Sequence, residues 1–485
     1  MKAVKWSSIA TIVRFVLQFA SQITLARMLG PENYGIFGMG AVVLTLTNVF
    51  SNFGFGWSLL HKRQVTEEDI RFAFTWQTLV GGLATLALYL LAPTLAAFFH
   101  EPRVEWVIRW LAFTCVISAV SSPAGNMMYR DLNFRAAGLI QIGGYVAGYL
   151  LVGIPLACLG HGVGALVAAW VVQVTFIAAG SFIAHPHSIK PLFYYPGARG
   201  AFKTGATVFV TNIINWSLGS MDRFLLGRFA NAHAVGVYSM GVNLATMPST
   251  LLMGSLQPAF TSAGSKMQDD PARMRNVYLQ IIATVLVLLL PVFVWLSISS
   301  FDIVRLLYGR QWADTGWVLA LMFVSVPAVL CLGLSTPILW NFGRKHHESM
   351  LQLPVLMLGL PAFYYSIPYG VQAFAAVAVS LVLVRAVLIC ASVFNLLGIR
   401  MADISPYLIR GAILSLLTAT ASLLGTAGVD AHGRPLFNLL AGGALALVVV
   451  GGAISVKPTL LGVHSVAMIS RFSARLGAAL KRRMG

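Results

Sequence analysis

Long apolar runs separated by short polar connections fill this chain from near its start to about residue 456. About 20 consecutive apolar residues are enough for a helix to cross the hydrocarbon core of a bilayer. The runs are continuous, whereas the strands of a membrane β-barrel would alternate. The pattern therefore predicts an all-α polytopic membrane protein with about fourteen transmembrane helices. The predicted spans are 8–28, 35–57, 73–98, 107–126, 137–158, 163–184, 204–221, 234–257, 278–299, 315–336, 350–367, 371–396, 407–427 and 436–454.

Composition agrees with this pattern and excludes several classes of protein. Of 485 residues, 58% are hydrophobic and only 10% are charged, against about 25% charged in soluble domains. Four cysteines lie singly in apolar runs, without disulfide or metal spacing. The chain has no phosphate-binding loop of the ATPase type and no GxSxG, HExxH or CxxC motif. We therefore predict no enzyme activity, no catalytic residues, no metal and no cofactor other than a coupling ion, H⁺ or Na⁺.

The net charge of +18 is distributed unevenly over the connections. Lysines and arginines concentrate in alternate connections, which the positive-inside rule assigns to the cytoplasm. This alternation predicts an even number of helices with both termini cytoplasmic, and it explains the charge without nucleic acid. The basic tail, residues 457–485, predicts an amphipathic helix on anionic lipid, or alternatively an extra anchor for topology.

A weak internal repeat relates the two halves of the chain at a shift of about 201 residues. The shift superposes Leu25, Arg27, Gly35, Met39 and Gly40 on Leu226, Arg228, Gly236, Met240 and Gly241. Related halves in a membrane protein are typical of transporters. We predict a six-helix lobe at 1–184, a cytoplasmic linker at 185–203, a second six-helix lobe at 204–396, an extra helix pair at 397–456 and the tail. Gly35 and Gly236 would be hinge or turn residues, or packing residues.

Polar side chains interrupt the apolar runs in two stripes. On the first helix, Arg14, Gln18, Ser21 and Gln22 share one face. On the seventh, Asn212 and Asn215 share a stripe with Gly219 and Asp222, and Arg223 follows. Arg385 lies well inside the twelfth span. Because buried arginine is costly in a bilayer, such residues usually face a cavity or a partner, so we predict a hydrated, net-positive cavity between the halves.

Each of these interpretations has an alternative. Arg14 and Arg385 would also be satisfied by extending to the cytoplasmic surface, and Asp222 by pairing with Arg27 or Arg228. The amides would also serve as hydrogen bonds between helices. The other fourteen acids are interpreted as residues of loops or span edges. A positive cavity with one acid favours anionic cargo, held by arginine forks and amide donors.

Several motifs resemble a known family. The segment ARMLGPENYGIF, residues 26–37, resembles the first-helix signature of bacterial polysaccharide exporters. A second set, Asp222-Arg223, GVYSM at 236–240, Pro248 and QPAF at 257–260, also matches. These proteins are the Wzx-like flippases of the multidrug/oligosaccharidyl-lipid/polysaccharide exporter superfamily. The resemblance implies a MATE-like, two-lobed bundle in the bacterial inner membrane. It also implies a cargo of undecaprenyl-pyrophosphate-linked oligosaccharide for exopolysaccharide, lipopolysaccharide or O-antigen synthesis.

Together these observations predict alternating access. Arg14 and Arg385 would receive the pyrophosphate on the inner side, while Asp222 and Arg223 would form the outer gate. Expected partners are the lipid-linked oligosaccharide, membrane lipids, and a polysaccharide polymerase with export machinery. Three alternatives stay open: a MATE-type cation or drug antiporter, a flippase for a peptidoglycan lipid precursor, and a membrane glycosyltransferase or polymerase. The short outer connections disfavour the last.

Overall fold

We describe the protein from a computed structural model. The described residues are 2–51, 59, 65–195, 198–265, 270–342, 345–427 and 435–460. Within these ranges some side chains are also left out, among them that of Asn215 in the middle of α7. The predicted tail helix at 457–485 lies mostly outside the described residues. The chain divides into two compact units, Met1–Ser239 and Met240–Gly485.

The described part of the first unit is helical apart from short connections and an extended segment at 186–195. Its helices are α1 (Lys2–Ser51), α2 (Glu67–Phe99), α3 (Arg103–Arg130), α4 (Phe134–Tyr145), α5 (Ile154–Cys158), α6 (Val163–Ala184), α7 (Ala198–Phe229) and the start of α8 (Ala232–Ser265). A π-helical segment, Val146–Gly153, joins α4 to α5. Helix α1 lies against α3, α4 and α7, so it is central to this unit.

The second unit is built in the same way. Its remaining helices are α9 (Pro271–Thr284), α10 (Leu290–Ile298), α11 (Ser300–Tyr308), α12 (Thr315–Asn341), α13 (Lys345–Ser366), α14 (Gly370–Leu397), α15 (Met401–Ala427) and α16 (Pro435–Val456). A π-helical segment, Val285–Leu289, joins α9 to α10. Helix α14 packs on α12 and α13, and α15 packs on α10 and α16.

Ten helical segments within the described residues are long and apolar enough to cross a membrane. Two of them, Thr11–Thr47 with 37 residues and Met350–Leu397 with 48 residues, are far longer than the about 20 residues that one crossing needs. The all-α membrane architecture predicted from the apolar runs is confirmed. The number fourteen and the borders of the lobes stay predictions.

A sharp break at Gly30 divides α1 into two helical parts. Gly30 has φ 73° and ψ 174°, a conformation that is open essentially to glycine alone. Pro31 follows at once, where its fixed φ suits the first turn of a new helix and its missing N–H is not needed. The sequence predicted two spans, 8–28 and 35–57, and the structure joins them through this break without a loop.

The internal repeat is visible in the packing of equivalent helices. In the second copy the chain breaks at Ala230 and Asn231, between α7 and α8, where the first copy breaks at Gly30. Gly40 packs against Val107 of α3, and its equivalent Gly241 packs against Val318 of α12. A glycine at each site lets a helix approach the branched side chain of its neighbour closely. The same contact is therefore made once in each unit.

An extended segment, residues 186–195, follows α6 and lies along the first turns of α2. Helix α2 begins with a capping box, in which Thr66 and Asp69 exchange side-chain and backbone hydrogen bonds. The segment is held to α2 by hydrogen bonds of Tyr195 to Asp69 (2.5 Å), Arg71 to the Lys190 and Pro191 carbonyls (3.1 and 3.4 Å), Leu192 N–H to Thr75 (2.8 Å) and Trp76 to the Phe193 carbonyl (3.1 Å). This part of the predicted linker is thus bound to the first unit.

The burial of His187 predicts that the binding of this segment is sensitive to pH. Its ring packs between Phe74 and Phe182, at 5.3 Å from each ring centroid, and burial lowers the pKa of His187. The released segment therefore binds a proton more readily than the docked one, so docking is full at neutral pH and weakens as pH falls below about 6.5. We expect amide hydrogen exchange of residues 186–195, corrected for its intrinsic pH dependence, to be faster at pH 5.5 than at pH 7.5.

The matched variant is His187→Phe, which keeps an aromatic ring and removes the titrating group. Its segment should be equally protected at both pH values. If amide exchange of residues 186–195 in the variant is as much faster at pH 5.5 as it is in the natural chain, a group other than His187 causes the pH dependence.

Candidate functional site

In the first unit, Arg14 is a half-buried arginine on α1 that reaches across to α4. Its guanidinium donates a hydrogen bond to the side-chain oxygen of Gln141. The Gln141 amide nitrogen in turn donates to the Tyr129 hydroxyl at 2.8 Å. A chain of three polar groups from three helices therefore holds Arg14 inside the unit. The described contacts give Arg14 a hydrogen-bond partner, and its placement in a cavity or at the cytoplasmic surface stays a prediction.

A small polar cavity adjoins this chain. It has a volume of about 160 Å³ and is lined by Thr11, Arg14, Tyr129, Phe134, Ala137, Gly138 and Gln141. One water needs about 10–15 Å³ of such volume and two to four polar partners. The cavity therefore has room for several waters or for a phosphate-sized anion beside the guanidinium.

The other members of the α1 stripe have different surroundings. Gln18 is exposed, Gln22 is half-buried and Ser21 is buried. The Tyr145 hydroxyl on α4 donates to the backbone carbonyl of Gln18 at 3.4 Å. The Tyr145 hydroxyl is also hydrogen-bonded to the Ser21 side chain, so Arg14 and Ser21 both lie on the side of α1 nearest α4. A role in binding for Gln18 and Gln22 stays a prediction.

The stripe on α7 is described in part. Asn212 is half-buried, and the side chain of Asn215 lies outside the described ones. Asp222 accepts a 2.7 Å hydrogen bond from the hydroxyl of fully buried Tyr238, and another from the backbone N–H of Arg223. Asp222 therefore links α7 to the start of α8. The outer gate predicted for Asp222 and Arg223 stays a prediction.

Arg228, one of the partners considered for Asp222, makes other contacts. It donates to the Phe98 carbonyl at 2.7 Å and lies 4.9 Å from the centroid of the Phe98 ring. It also approaches the ring nitrogens of His100 at 2.8 and 2.9 Å. Arg228 therefore fixes the end of α7 to the end of α2.

Gly35 and Gly236 lie where α1 and α8 cross, and their contacts are reciprocal. A Cβ on Gly35 would overlap the carbonyl oxygen of Ala232, and a Cβ on Gly236 would overlap that of Pro31. Under the 201-residue shift, Gly35 corresponds to Gly236 and Pro31 to Ala232. The contact of Gly35 with Ala232 is thus repeated by the contact of Gly236 with Pro31, as a two-fold axis through the crossing requires. Both glycines have helical backbones and serve as close-packing positions; a hinge role stays a prediction.

In the second unit, Arg385 is held by an amide in the same manner as Arg14. It is half-buried on α14 and donates to the side-chain oxygen of Gln352 on α13 at 2.8 Å. The Gln352 amide nitrogen donates to Glu348 at 3.0 Å. An intramembrane arginine in each unit is therefore oriented by a glutamine from a neighbouring helix.

Glu348 is a buried acid, although the apolar pattern predicts a loop or span-edge position for it. Its exposed fraction is 9%, because α13 begins at Lys345, one turn earlier than the predicted span. Glu348 and Gln352 are four residues apart, and this spacing places both side chains on one helix face if the helix begins before Glu348. Hydropathy alone starts the predicted span at residue 350 and so leaves Glu348 outside it.

Comparison with known proteins gives a family and a set of relatives. A family model described as polysaccharide biosynthesis protein matches residues 24–316, more than half of the chain. The lipopolysaccharide biosynthesis protein WzxC of Escherichia coli (strain K12) is 23% identical over 325 residues, which are 66% of this chain and 65% of that protein. The teichuronic acid biosynthesis protein TuaB of Bacillus subtilis (strain 168) is 23% identical over 385 residues, 78% of this chain and 76% of that protein.

Among solved structures, the lipid II flippase MurJ in its inward closed conformation has a similar fold. The TM-score is 0.74 at 14% identity, and the match covers 93% of this chain and 98% of that chain. The likeness extends over nearly all of both chains. At this identity it shows the fold alone.

Proposed function

Because this chain belongs to the polysaccharide biosynthesis protein family, we propose that it is a flippase for lipid-linked oligosaccharides. Its cargo would be a repeat unit on undecaprenyl pyrophosphate, moved from the inner to the outer leaflet of a bacterial inner membrane. The product would serve exopolysaccharide or O-antigen-type synthesis. The names of WzxC, a lipopolysaccharide biosynthesis protein, and TuaB, a teichuronic acid biosynthesis protein, support this class of cargo.

The observation that carries the proposal is the arginine–glutamine pair in each unit. Arg14 with Gln141 and Arg385 with Gln352 present guanidinium and amide donors inside spanning segments. A guanidinium binds a phosphate through two parallel hydrogen bonds, and it stays charged when it is buried. Each such group suits a phosphate better than it suits a cationic drug, for which a MATE-type antiporter would favour acids inside the membrane.

Both termini would lie in the cytoplasm, and the halves would alternate in access around the cationic cavity predicted from the sequence. The chain would carry out transport without enzymatic chemistry, driven by an ion gradient or by consumption of cargo outside. A polymerase and export machinery would use the product. The peptidoglycan-precursor alternative shares the fold and differs only in the headgroup.

The proposal is tested by reconstituting the full chain in liposomes with a fluorescent undecaprenyl-pyrophosphate-linked glycan. We expect the outward-exposed fraction of labelled glycan to rise faster than in protein-free liposomes. A neutral polyprenol-linked glycan, offered in parallel, should not be moved because it has no anion for the arginines. Equal transport of both lipids would contradict a pyrophosphate-selective flippase, and transport of neither would contradict a flippase of this cargo.

A further inference from the structure

The extended segment at residues 186–195 turns large side chains outward at one end of the first unit. Three of its aliphatic or aromatic side chains are exposed over 59–77% of their surface: Ile189, Phe193 and Tyr194. Leu192 and Tyr195, by contrast, pack inward in a cluster with Phe72 and Ala73 of α2. The inward set holds the segment on α2, so the outward set is available to a partner.

The backbone of this segment is satisfied by the protein itself. Side chains of α2 make hydrogen bonds to four backbone groups of residues 190–193, three carbonyls and one N–H. Pro191 adds no N–H of its own. Backbone groups without a partner are costly in contact with lipid, so irregular backbone is tolerated there only where protein satisfies it. The segment meets this condition although it is neither helix nor strand.

A second exposed apolar residue at the same end has an unfavourable backbone conformation. Leu132, between α3 and α4, has φ 56°, in the left-handed region that residues with a bulky side chain seldom adopt, and it is largely exposed. Its neighbour Asp131 lies 3.1 Å from His185, the residue before the segment. Asparagine or glycine adopts this conformation more readily and would suit water better, so a leucine here indicates an apolar surrounding.

From these observations we propose that residues 186–195 and Leu132 form a membrane anchor, whose outward side chains insert at the boundary between phospholipid headgroups and acyl chains. Helices α6 and α2 are both long and apolar enough to cross a membrane. The segment follows the last residue of α6 and lies on the first turns of α2, so it lies where both helices leave the hydrocarbon. Tyrosine is enriched at this depth, because its ring is apolar and its hydroxyl is polar, as Tyr194 requires.

Apolar contact drives this insertion, and attraction to anionic lipid does not. Both signs occur among the exposed charges at this end of the unit: Lys190, Arg135, Glu67, Glu68 and Asp131. A site for anionic headgroups is typically a cluster of several lysines or arginines. We therefore expect the anchor to insert equally into zwitterionic bilayers and into bilayers that contain phosphatidylglycerol.

The test uses the full-length chain in liposomes, with an environment-sensitive fluorophore on one surface cysteine. Cys158, the exposed one of the four natural cysteines, is replaced by serine in every variant. The label is placed at Tyr194→Cys and, as a control at the exposed start of α2, at Glu68→Cys. We expect fluorescence at position 194 to be quenched by phospholipids that carry a spin label near the headgroup, and little by iodide in the buffer. At position 68 the order should be reversed, so the ratio of lipid to iodide quenching should differ several-fold between the sites.

A second label site, Leu132→Cys, covers the case in which Tyr194→Cys does not fold, and it should be quenched as position 194 is. Iodide quenching at both positions would place this surface in water, and quenching by neither reagent would mean that a second copy or another protein covers it. Either result overturns the anchor. Lipid quenching that requires phosphatidylglycerol would overturn its apolar character. The measurement involves no cargo, so the proposed flippase function stands or falls separately.

Discussion

Replacing Gly236 with alanine is expected to destabilise the protein severely and to abolish transport. The new Cβ would overlap the carbonyl oxygen of Pro31, which belongs to backbone and cannot rotate away. Overpacking in a close-packed interior costs about 1–3 kcal/mol when side chains can adjust, and here the helices themselves must separate. We expect the thermal unfolding midpoint in detergent to fall by several degrees, with loss of flipping in liposomes. Gly35→Ala should behave in the same way, because it faces Ala232 across the same crossing.

Two glycines provide matched controls for this prediction. A Cβ on Gly82 of α2 meets no atom within 4 Å, so Gly82→Ala should leave the midpoint unchanged or raise it slightly. A Cβ on Gly38, at the same crossing, would lie 3.4 Å from Val235 in ordinary contact. The order of stability should therefore be Gly82→Ala, then Gly38→Ala, then Gly236→Ala. A Gly236→Ala protein as stable as Gly82→Ala would show that the crossing is looser than described.

The fold class could be predicted because bilayer thickness sets helix length directly. Apolar runs identified the membrane helices, and the repeat pointed to Gly35 and Gly236. The reason that these positions need glycine could not be predicted, because Gly35 meets Ala232, almost two hundred residues away in sequence. Similarly, the sequence predicts a loop at 29–34 between two separate spans, 8–28 and 35–57. The structure instead has one helix, α1, whose break at Gly30 separates the two spans.

The sequence singles out the arginines of the candidate site, but it does not identify the side chains that contact them. Arg14 and Arg385 stood out because arginine inside an apolar run needs a compensating partner. Their partners, Gln141 and Gln352, lie on other helices, and choosing among the many amides of the chain requires the packing. Glu348 was missed for a related reason: the apolar run begins after it, although the helix begins before it.

The second large effect is expected from removing the two arginines. Arg14→Ala and Arg385→Ala would each delete the charged donor that we propose for the pyrophosphate. A hydrogen bond to a charged group contributes about 1.5–3 kcal/mol, equivalent to about 10- to 100-fold in affinity. We expect each single variant to slow flipping by about that factor at unchanged protein level, and the double variant to be inactive. The measurement is the initial rate of glycan exposure in liposomes, with export of polymer in cells as a second readout.

The control must be another arginine in a spanning helix. Arg410 lies within α15, where its guanidinium is 5.7 Å from the ring centroid of Tyr407 on the same helix, and Arg410→Ala should retain the natural rate. Arg385→Lys separates charge from geometry, because lysine keeps the charge and loses the two-pronged donor. If charge alone attracts the headgroup, the lysine variant will transport normally; if the fork held by Gln352 is required, it will be slow. Normal transport by the double alanine variant would refute the arginine sites altogether, since no anion could then depend on them.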